Sequence, residues 1–447
     1  MSKRKKLKKT YRKKENKKIR RLQFTAFMIV LAVGFVVSLL LPLRPKFSES
    51  EKRELTPFPK FTIKTLCDGS FFDGISLWYS DTFPFREALV SANSKLQSMR
   101  GFGDRLYGLS DQKAEEIPDA PVILTEPAQD PFESIDDTLG GEISIDDNAL
   151  VQNLGNVLLV GDAGYEVYNF NQNLANQYAA VINRAAKNLD GAAQVYDMLV
   201  PTSIDITLAD KQRAKINSSS QADAIRYIYA CLNDQVHSIN VYNTLRAHRT
   251  EYVYFRTDHH WTALGAFYAY EQFCKALQLP AKTLNDFTEH QFPGFKGSFY
   301  TDTKKNAKLG DHPDTIYAYA PKGETTLTYH TKSGKTMDWH IISDVSGWNP
   351  TALYSTFIGG DNPYTYITNA SCGNKKSCLV VKESFGNALV PFIAAEFAEV
   401  HVIDYRYWNG SVSQFVKEKS VDCVLFVNNL SATRNAYLIK ALSNISI

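Results

Sequence analysis

Cysteine is scarce in this chain: six in 447 residues, with no C-x-x-C pair and no cysteine–histidine spacing of the zinc-ligand kind. That excludes a zinc-finger scaffold and a small disulfide-dense fold. The nine histidines are scattered apart from the adjacent His259 and His260. Side chains next to each other rarely point at one ion, so no resident metal is expected. No internal repeat is found, which excludes a solenoid or propeller. Positive charge is also scarce once one segment is set aside. The first 21 residues hold 13 Lys or Arg and one Glu, leaving 37 basic residues against 46 acidic ones. A chain acidic by nine charges lacks the basic face that nucleic-acid binding needs, so no nucleic-acid partner is expected.

The basic tail over residues 1–21 has another use. It precedes residues 22–43, where 24–43 form a run of 20 without a charge, long enough to cross a bilayer as a helix. The positive-inside preference then keeps the N-terminus in the cytoplasm and exports the remainder of the chain, giving a single-pass protein of the cell membrane. The other reading is a cleaved signal peptide, but the run is long and leads into Arg44-Pro45 without a small-residue cleavage site. The tail is also suited to anionic lipid head groups.

Beyond the span, residues 44–109 read as a stalk with amphipathic helix over 71–99 broken at Phe83-Pro84-Phe85-Arg86, and 110–147 as an acidic, Pro-rich disordered loop. Residues 148–447 read as an α/β domain. Strands are expected at 156–160, 194–200, 252–255, 379–381, 401–403 and 423–427. Helices are expected at 173–189, 222–232, 388–397 and 412–417. Alternation of this kind implies a parallel sheet flanked by helices, with ligands at the carboxyl ends of its strands. Residues 285–369 break the rhythm with turn signals, and read as a loop- and β-rich insertion. Cys372 and Cys378 close a short loop that a disulfide fits, whereas Cys67, Cys231, Cys274 and Cys423 sit beside apolar residues and read as small hydrophobes.

Two local patterns carry chemistry. Asp258-His259-His260-Trp261 places a carboxylate two residues from an imidazole, which orients the ring and leaves its outer nitrogen free to take a proton. The alternative is a helix-capping Asp258 beside an ordinary buried histidine. In Lys382-Glu383-Ser384-Phe385-Gly386-Asn387, 124 positions on from His260, an apolar run turns into helix at Ser384. Such a turn exposes a hydroxyl and aims backbone N–H groups at one point, as a tetrahedral oxyanion requires. Only half of Gly-x-Ser-x-Gly is present, with Lys382 in the first glycine's place, and a serine there also suits a helix N-cap.

Together these stretches resemble the DHHW family of exported proteins, which is similar to the SGNH-hydrolase-like acetyltransferases that O-acetylate alginate and other exported polysaccharides. The resemblance is close at 256–262 and 382–392, and weaker at 403–406, 354–361 and 47–55. The acidic segment lies outside it. It implies an SGNH-hydrolase-like parallel sheet, with Ser384 as nucleophile, His260 as general base and Asp258 as its orienter. It also implies a polysaccharide acceptor, a polytopic membrane-bound O-acyltransferase as acyl donor, and no cofactor. Glu383 replaces the Asp usual before the serine, and no glycine-plus-asparagine oxyanion pair is evident. Asn387, Arg406, Asn428 and Tyr354 are the candidates for oxyanion or substrate binding. Phe299, Tyr300, Trp348 and Tyr354 are candidates for stacking on sugar, set against ordinary core packing. Two other functions fit the same patterns: a glycan acetyl esterase, and a non-catalytic surface protein that binds a glycan or a partner.

Overall fold

The structure is a computed structural model that describes residues 151–446 throughout, together with 134–143 and 117–118. Nearer the N-terminus it describes Thr25, Met28, 47–48, 53–54, 56–62, 66 and 70–83. Apart from Thr25 and Met28, both helical, the expected membrane span falls outside the described residues. Among the described residues no helix is long and apolar enough to cross a membrane. The chain divides into two units, 1–103 and 104–447.

In the first unit, helix is described over Ser70–Asp81, and Phe47–Ser48 pairs antiparallel with Arg53–Glu54. Phe58 and Phe61 meet Phe71 edge to face, and Phe58 meets Trp78 the same way. The rest of the helix expected over 71–99, from 84 onward, lies outside the described residues, as does Cys67.

The second unit is built on an eight-stranded sheet. Its strands in chain order are β1 (Gln194–Val200), β2 (Val236–Ser238), β3 (Thr325–His330), β4 (Thr336–Trp339), β5 (Tyr364–Asn369), β6 (Ser377–Lys382), β7 (Glu399–Asp404) and β8 (Cys423–Asn429). Across the sheet they run β4-β3-β5-β7-β6-β8-β1-β2. The pairs from β7 to β2 are parallel. The inner strands of this parallel part are buried on both faces, β6 at every position, and β1, β6 and β8 read as largely apolar runs, whereas β2 at the edge is half-exposed.

Three differences from the sequence reading concern the sheet, the first being that the strand expected at 156–160 is outside it: Val157–Val160 pairs antiparallel in a separate three-stranded sheet. Within 285–369, Phe287–Phe295 and Asp314–Pro321 pair antiparallel as a sheet of their own, as a β-rich insertion would, whereas β3, β4 and β5 extend the main sheet antiparallel beyond β7. β5 alternates buried and half-exposed residues, while β3 and β4 are mostly half-exposed or exposed, as suits the margin of an antiparallel sheet. Residues 252–255 form no strand of this sheet. They make one isolated bridge, Tyr254 to Trp261, so Asp258 and His260 sit in a loop closed on itself.

Helices α1 (Gln172–Leu189), α2 (Gln221–Ala230), α5 (Val412–Lys419) and α6 (Ala436–Ile445) form one packed group, α1 touching the other three. Helices α3 (Ala263–Ala276) and α4 (Gly386–Ile393) form another. The N-cap of α1 is Asn171, whose side chain accepts from Leu174 N–H, and its end is turned by Asp190 in the left-handed region at φ 50°. Residues 134–143, within the segment expected to be disordered, are held to this unit. Ile135 is buried in the core, Asn243 Oδ1 accepts from Asp136 N–H at 2.8 Å, and Arg246 donates to Asp137 O at 2.6 Å.

The described cysteines 231, 274, 372, 378 and 423 are free thiols. Cys378 does not face Cys372: it is buried in β6 opposite Cys423 of β8, because the strand that carries it runs through the core.

Candidate active site

Ser384 comes just after the carboxyl end of β6 and precedes α4, in the centre of the parallel strands. The turn is tight because Gly386 lies over Lys382. A Cβ at Gly386 would fall 2.6 Å from Lys382 Cβ, so any larger residue would open the turn. Ser384 does not cap the helix: Phe385 holds that position, and no side chain makes the capping bond. The Ser384 hydroxyl is half-buried and lies 2.7 Å from His260 Nε2. His260 Nδ1 lies 2.5 Å from Asp258 Oδ1, which also accepts from the His260 backbone N–H at 2.9 Å. The helix-cap alternative for Asp258 is answered by Thr262, whose side chain accepts from Gly265 N–H and caps α3.

The loop that carries Asp258 and His260 is fixed from outside. Asp314, fully buried, accepts from Thr257 N–H at 2.7 Å, from Thr257 Oγ1 at 2.6 Å and from Tyr252 OH at 2.6 Å. Ser298 N–H donates to the second Asp258 oxygen at 2.7 Å, while Ser298 Oγ lies 2.6 Å from His259 Nδ1. The preceding Gly297 comes so close that a Cβ there would fall 2.2 Å from Asp258 Cβ and 2.3 Å from its Oδ2. Trp261, fully buried, donates its indole N–H to Phe385 O at 2.9 Å and so ties this loop to the serine turn. Tyr354 stacks on the His260 ring, with centroids 4.1 Å apart and planes 10° apart, and donates its hydroxyl to Ser384 O at 3.1 Å.

Electrostatics reflect this geometry. Burial alone would raise the Asp258 carboxyl, but His260, His259 and the hydrogen bonds from His260 and Ser298 N–H outweigh it and hold it well below the usual carboxylate range. His259 is pushed down by burial and by His260, against Asp258. Ligand atoms of Asp258, His259 and His260 lie within 4.8 Å of one another. Both His260 nitrogens are nevertheless engaged, one by Asp258 and one by Ser384, and His259 Nδ1 by Ser298. The trio is therefore arranged to move a proton from Ser384 toward His260, with Asp258 stabilising the imidazolium.

The profile of the DHHW protein family matches residues 51–139 and 123–403, well over half the chain. The chain belongs to the DHHW family. The match runs through the whole acidic segment, 110–147, which the sequence resemblance leaves outside. A DHHW family protein from Eubacterium siraeum is 29% identical, with 68% of this chain and 98% of that one covered and a TM-score of 0.59. Bacillus cereus PatB1 is 21% identical over 64% of this chain and 99% of its own, with a TM-score of 0.54. No curated protein matches the chain. All four motif residues of this DHHW protein have a structural use: Asp258 orients, His260 faces the serine, His259 is held by Ser298, and Trp261 joins the two segments.

Of the four candidates for oxyanion or substrate binding, Tyr354 reaches the triad with its side chain, and Asn387 through its backbone N–H, which donates to Ser384 O at 3.2 Å. Arg406 is bound to Asp404 at 2.6 Å and to Asp361 at 2.9 Å, because Lys382, Asp404 and Asp361 form a buried ion cluster under the serine turn. Asn387 joins that cluster by donating to Asp361 at 2.9 Å, and its buried Oδ1, an acceptor, has no partner. Asn428 is fully buried, accepting from Tyr405 OH and donating to Tyr178 OH. Each of these three side chains is engaged by neighbours in the fold. Phe299 is core, packed on Gly164, so it offers no face to a sugar. Tyr300 is half-buried and Trp348 is exposed. Residues missed in the sequence are Gly297, Ser298 and Asp314; they lie about forty or more positions from the loop they hold and carry no motif of their own.

Proposed function

We propose that this DHHW protein is a membrane-anchored, extracytoplasmic O-acetyltransferase that acts on a cell-surface or exported polysaccharide through an acyl-Ser384 intermediate. The observation that carries this reading is the continuous chain from Asp258 to His260 to Ser384, with hydrogen-bond distances of 2.5 and 2.7 Å and a half-buried hydroxyl at its end. Support for export comes from the basic tail and the uncharged run of 20. Support for acetyl transfer to a glycan comes from the likeness of the motif segments to exported polysaccharide acetyltransferases.

In the first half-reaction Ser384 Oγ attacks the acetyl carbonyl as its proton passes to His260 Nε2. The tetrahedral intermediate collapses as the leaving group departs with the proton from His260. In the second, His260 takes the proton of an acceptor hydroxyl, which attacks the acetyl-serine ester, and the proton returns to Ser384. The acetyl group comes from a polytopic membrane acyltransferase, and no cofactor takes part. Since Ser384 is half-buried rather than sealed, water competes with the glycan as acceptor, and esterase activity is the second reading.

The test is mass spectrometry after incubation with p-nitrophenyl acetate. The acetyl group is expected on Ser384 in the native protein and absent from Ser384→Ala. PatB1 has been seen with a sulfonyl adduct, so a sulfonyl fluoride serves as a second probe. A folded native protein that stays unmodified by both reagents overturns the proposal. Acetyl release compared with transfer to an oligosaccharide separates transferase from esterase.

A further inference from the structure

Glu383 is almost fully buried, and the triad described above does not use it. Its Oε1 accepts from Asn429 N–H at 2.9 Å. Its Oε2 lies 3.2 Å from Phe385 N and 3.2 Å from Ser384 Oγ. The serine oxygen thus has two neighbours, His260 Nε2 at 2.7 Å and Glu383 Oε2 at 3.2 Å, but only one proton of its own. Asp258 holds a proton on His260 Nδ1, which makes Nε2 an acceptor, and the serine proton is committed there. The remaining contact between Ser384 Oγ and Glu383 Oε2 sets two oxygens face to face. It needs a hydrogen, and the carboxyl is the group able to carry one.

We propose that Glu383 stands beside the nucleophile as a neutral carboxylic acid and donates a hydrogen bond to Ser384 Oγ. This inference rests on reading Ser384 as the nucleophile. The proton stays on Glu383 throughout. Its hydrogen bond fixes the serine rotamer and stabilises charge on the oxygen when the ester bond to Ser384 breaks in the second half-reaction. An ionised Glu383 would instead oppose attack by placing negative charge beside an oxygen that is becoming negative.

The surroundings agree. Burial pushes the Glu383 carboxyl above its ordinary range, against Arg406, the N–H groups of Asn429 and Phe385, and His259. The other titratable groups facing it are Tyr405 and Tyr354, both raised well above their ordinary range chiefly by burial and so neutral, and His260 through Ser384.

Two measurements test this. Carbon-13 NMR of protein labelled at the glutamate carboxyls reads protonation without any reaction. One signal is expected to titrate above the others, to vanish in Glu383→Gln, and to move down in Ser384→Ala, which removes the acceptor for its proton. The pH profile of Ser384 modification by phenylmethanesulfonyl fluoride reads the consequence. The native rate falls on the alkaline side as Glu383 ionises. Glu383→Gln keeps an N–H donor that cannot ionise, so it stays within about tenfold of the native maximum and loses the fall. An ordinary titration for every glutamate overturns the proposal, as does an alkaline fall unchanged in Glu383→Gln. If Glu383→Gln does not fold, the Ser384→Ala shift decides: a high-titrating signal that stays put overturns the proposal. If Ser384 is never modified while the high-titrating signal persists, the nucleophile reading fails and the protonation state of Glu383 stands.

Discussion

Two buried polar clusters meet at the end of β6, and they differ in one respect. Lys382, Asp404, Arg406, Asp361 and Asn387 close on one another, two cations facing two carboxylates, and the charge is spent internally. Asp258, His260 and Ser384 form a chain instead, anchored at one end by Ser298 N–H and finishing at a half-buried hydroxyl. Both clusters hold a carboxylate whose ionised form is strongly favoured, against burial, by its partners: Arg406 and Lys382 for Asp361, the two histidines for Asp258. Perturbed carboxylates therefore do not by themselves mark a site of chemistry. The open end does.

Removing the open end tests this contrast most severely. Ser384→Ala is expected to lower p-nitrophenyl acetate cleavage on the order of 10⁴-fold or more, His260→Ala similarly, and the double variant no further, since the residues act as one unit. Additive losses would mean that the two do not share a step. The closed cluster answers differently. Asp404→Ala strands Lys382 and Arg406 with one carboxylate between them, and urea unfolding should show a loss of about 3–5 kcal/mol. A loss under about 1 kcal/mol would show the cluster to be ornamental.

A third buried carboxylate extends the contrast because it has no cation. Asp197 in β1 accepts from Tyr178 OH at 2.6 Å, its other oxygen has no partner, and burial raises it to about 7 despite that hydrogen bond. The folded protein thus keeps a proton that the unfolded chain releases near pH 4. This contribution to stability is complete below that pH and is lost as pH rises through about 7. Between pH 5 and 8 the loss is about 2–3 kcal/mol, and Asp197→Asn should remove it from the urea unfolding curves. An unchanged pH dependence in that variant would place the titration elsewhere. The smallest effect expected is that of Tyr354→Phe. It keeps the ring on His260 but loses the hydrogen bond to Ser384 O, lowering the rate of Ser384 acetylation about fivefold, near 1 kcal/mol. No change would make the tyrosine a packing residue alone.

The residues of the open chain were legible in the sequence because each sits in a local pattern. Asp258 and His260 are two positions apart, and Ser384 comes after a run that is buried at every position. Strand β1 was legible for the same reason, and α1 through its helical spacing. The illegible part depends on distant partners. Asn387 and Asn428 read as free to bind an anion because nothing nearby in sequence reveals Asp361 or Tyr178 as their partners, whereas Arg406 has its nearest partner, Asp404, only two positions away. Residues 252–255 are apolar enough for a strand, but Thr262 N–H donates back to Val253 O at 3.0 Å, closing the loop on itself instead of adding it to the sheet. Strands were expected within 285–369, but not that β3 to β5 join the main sheet: half-exposed strands at a sheet margin have weak apolar patterns, and pairing rather than propensity decides them.

The placement of β6 bears on how the protein is made. Both its neighbours, β7 and β8, come later in the chain. During synthesis the segment bearing Ser384 can pair first with β7, but its other edge stays open until the final stretch has emerged. A chain stopped at Val421 would end before β8, the strand that joins β6 to β1, and the acylation pocket would never assemble even though all three reacting side chains had been translated.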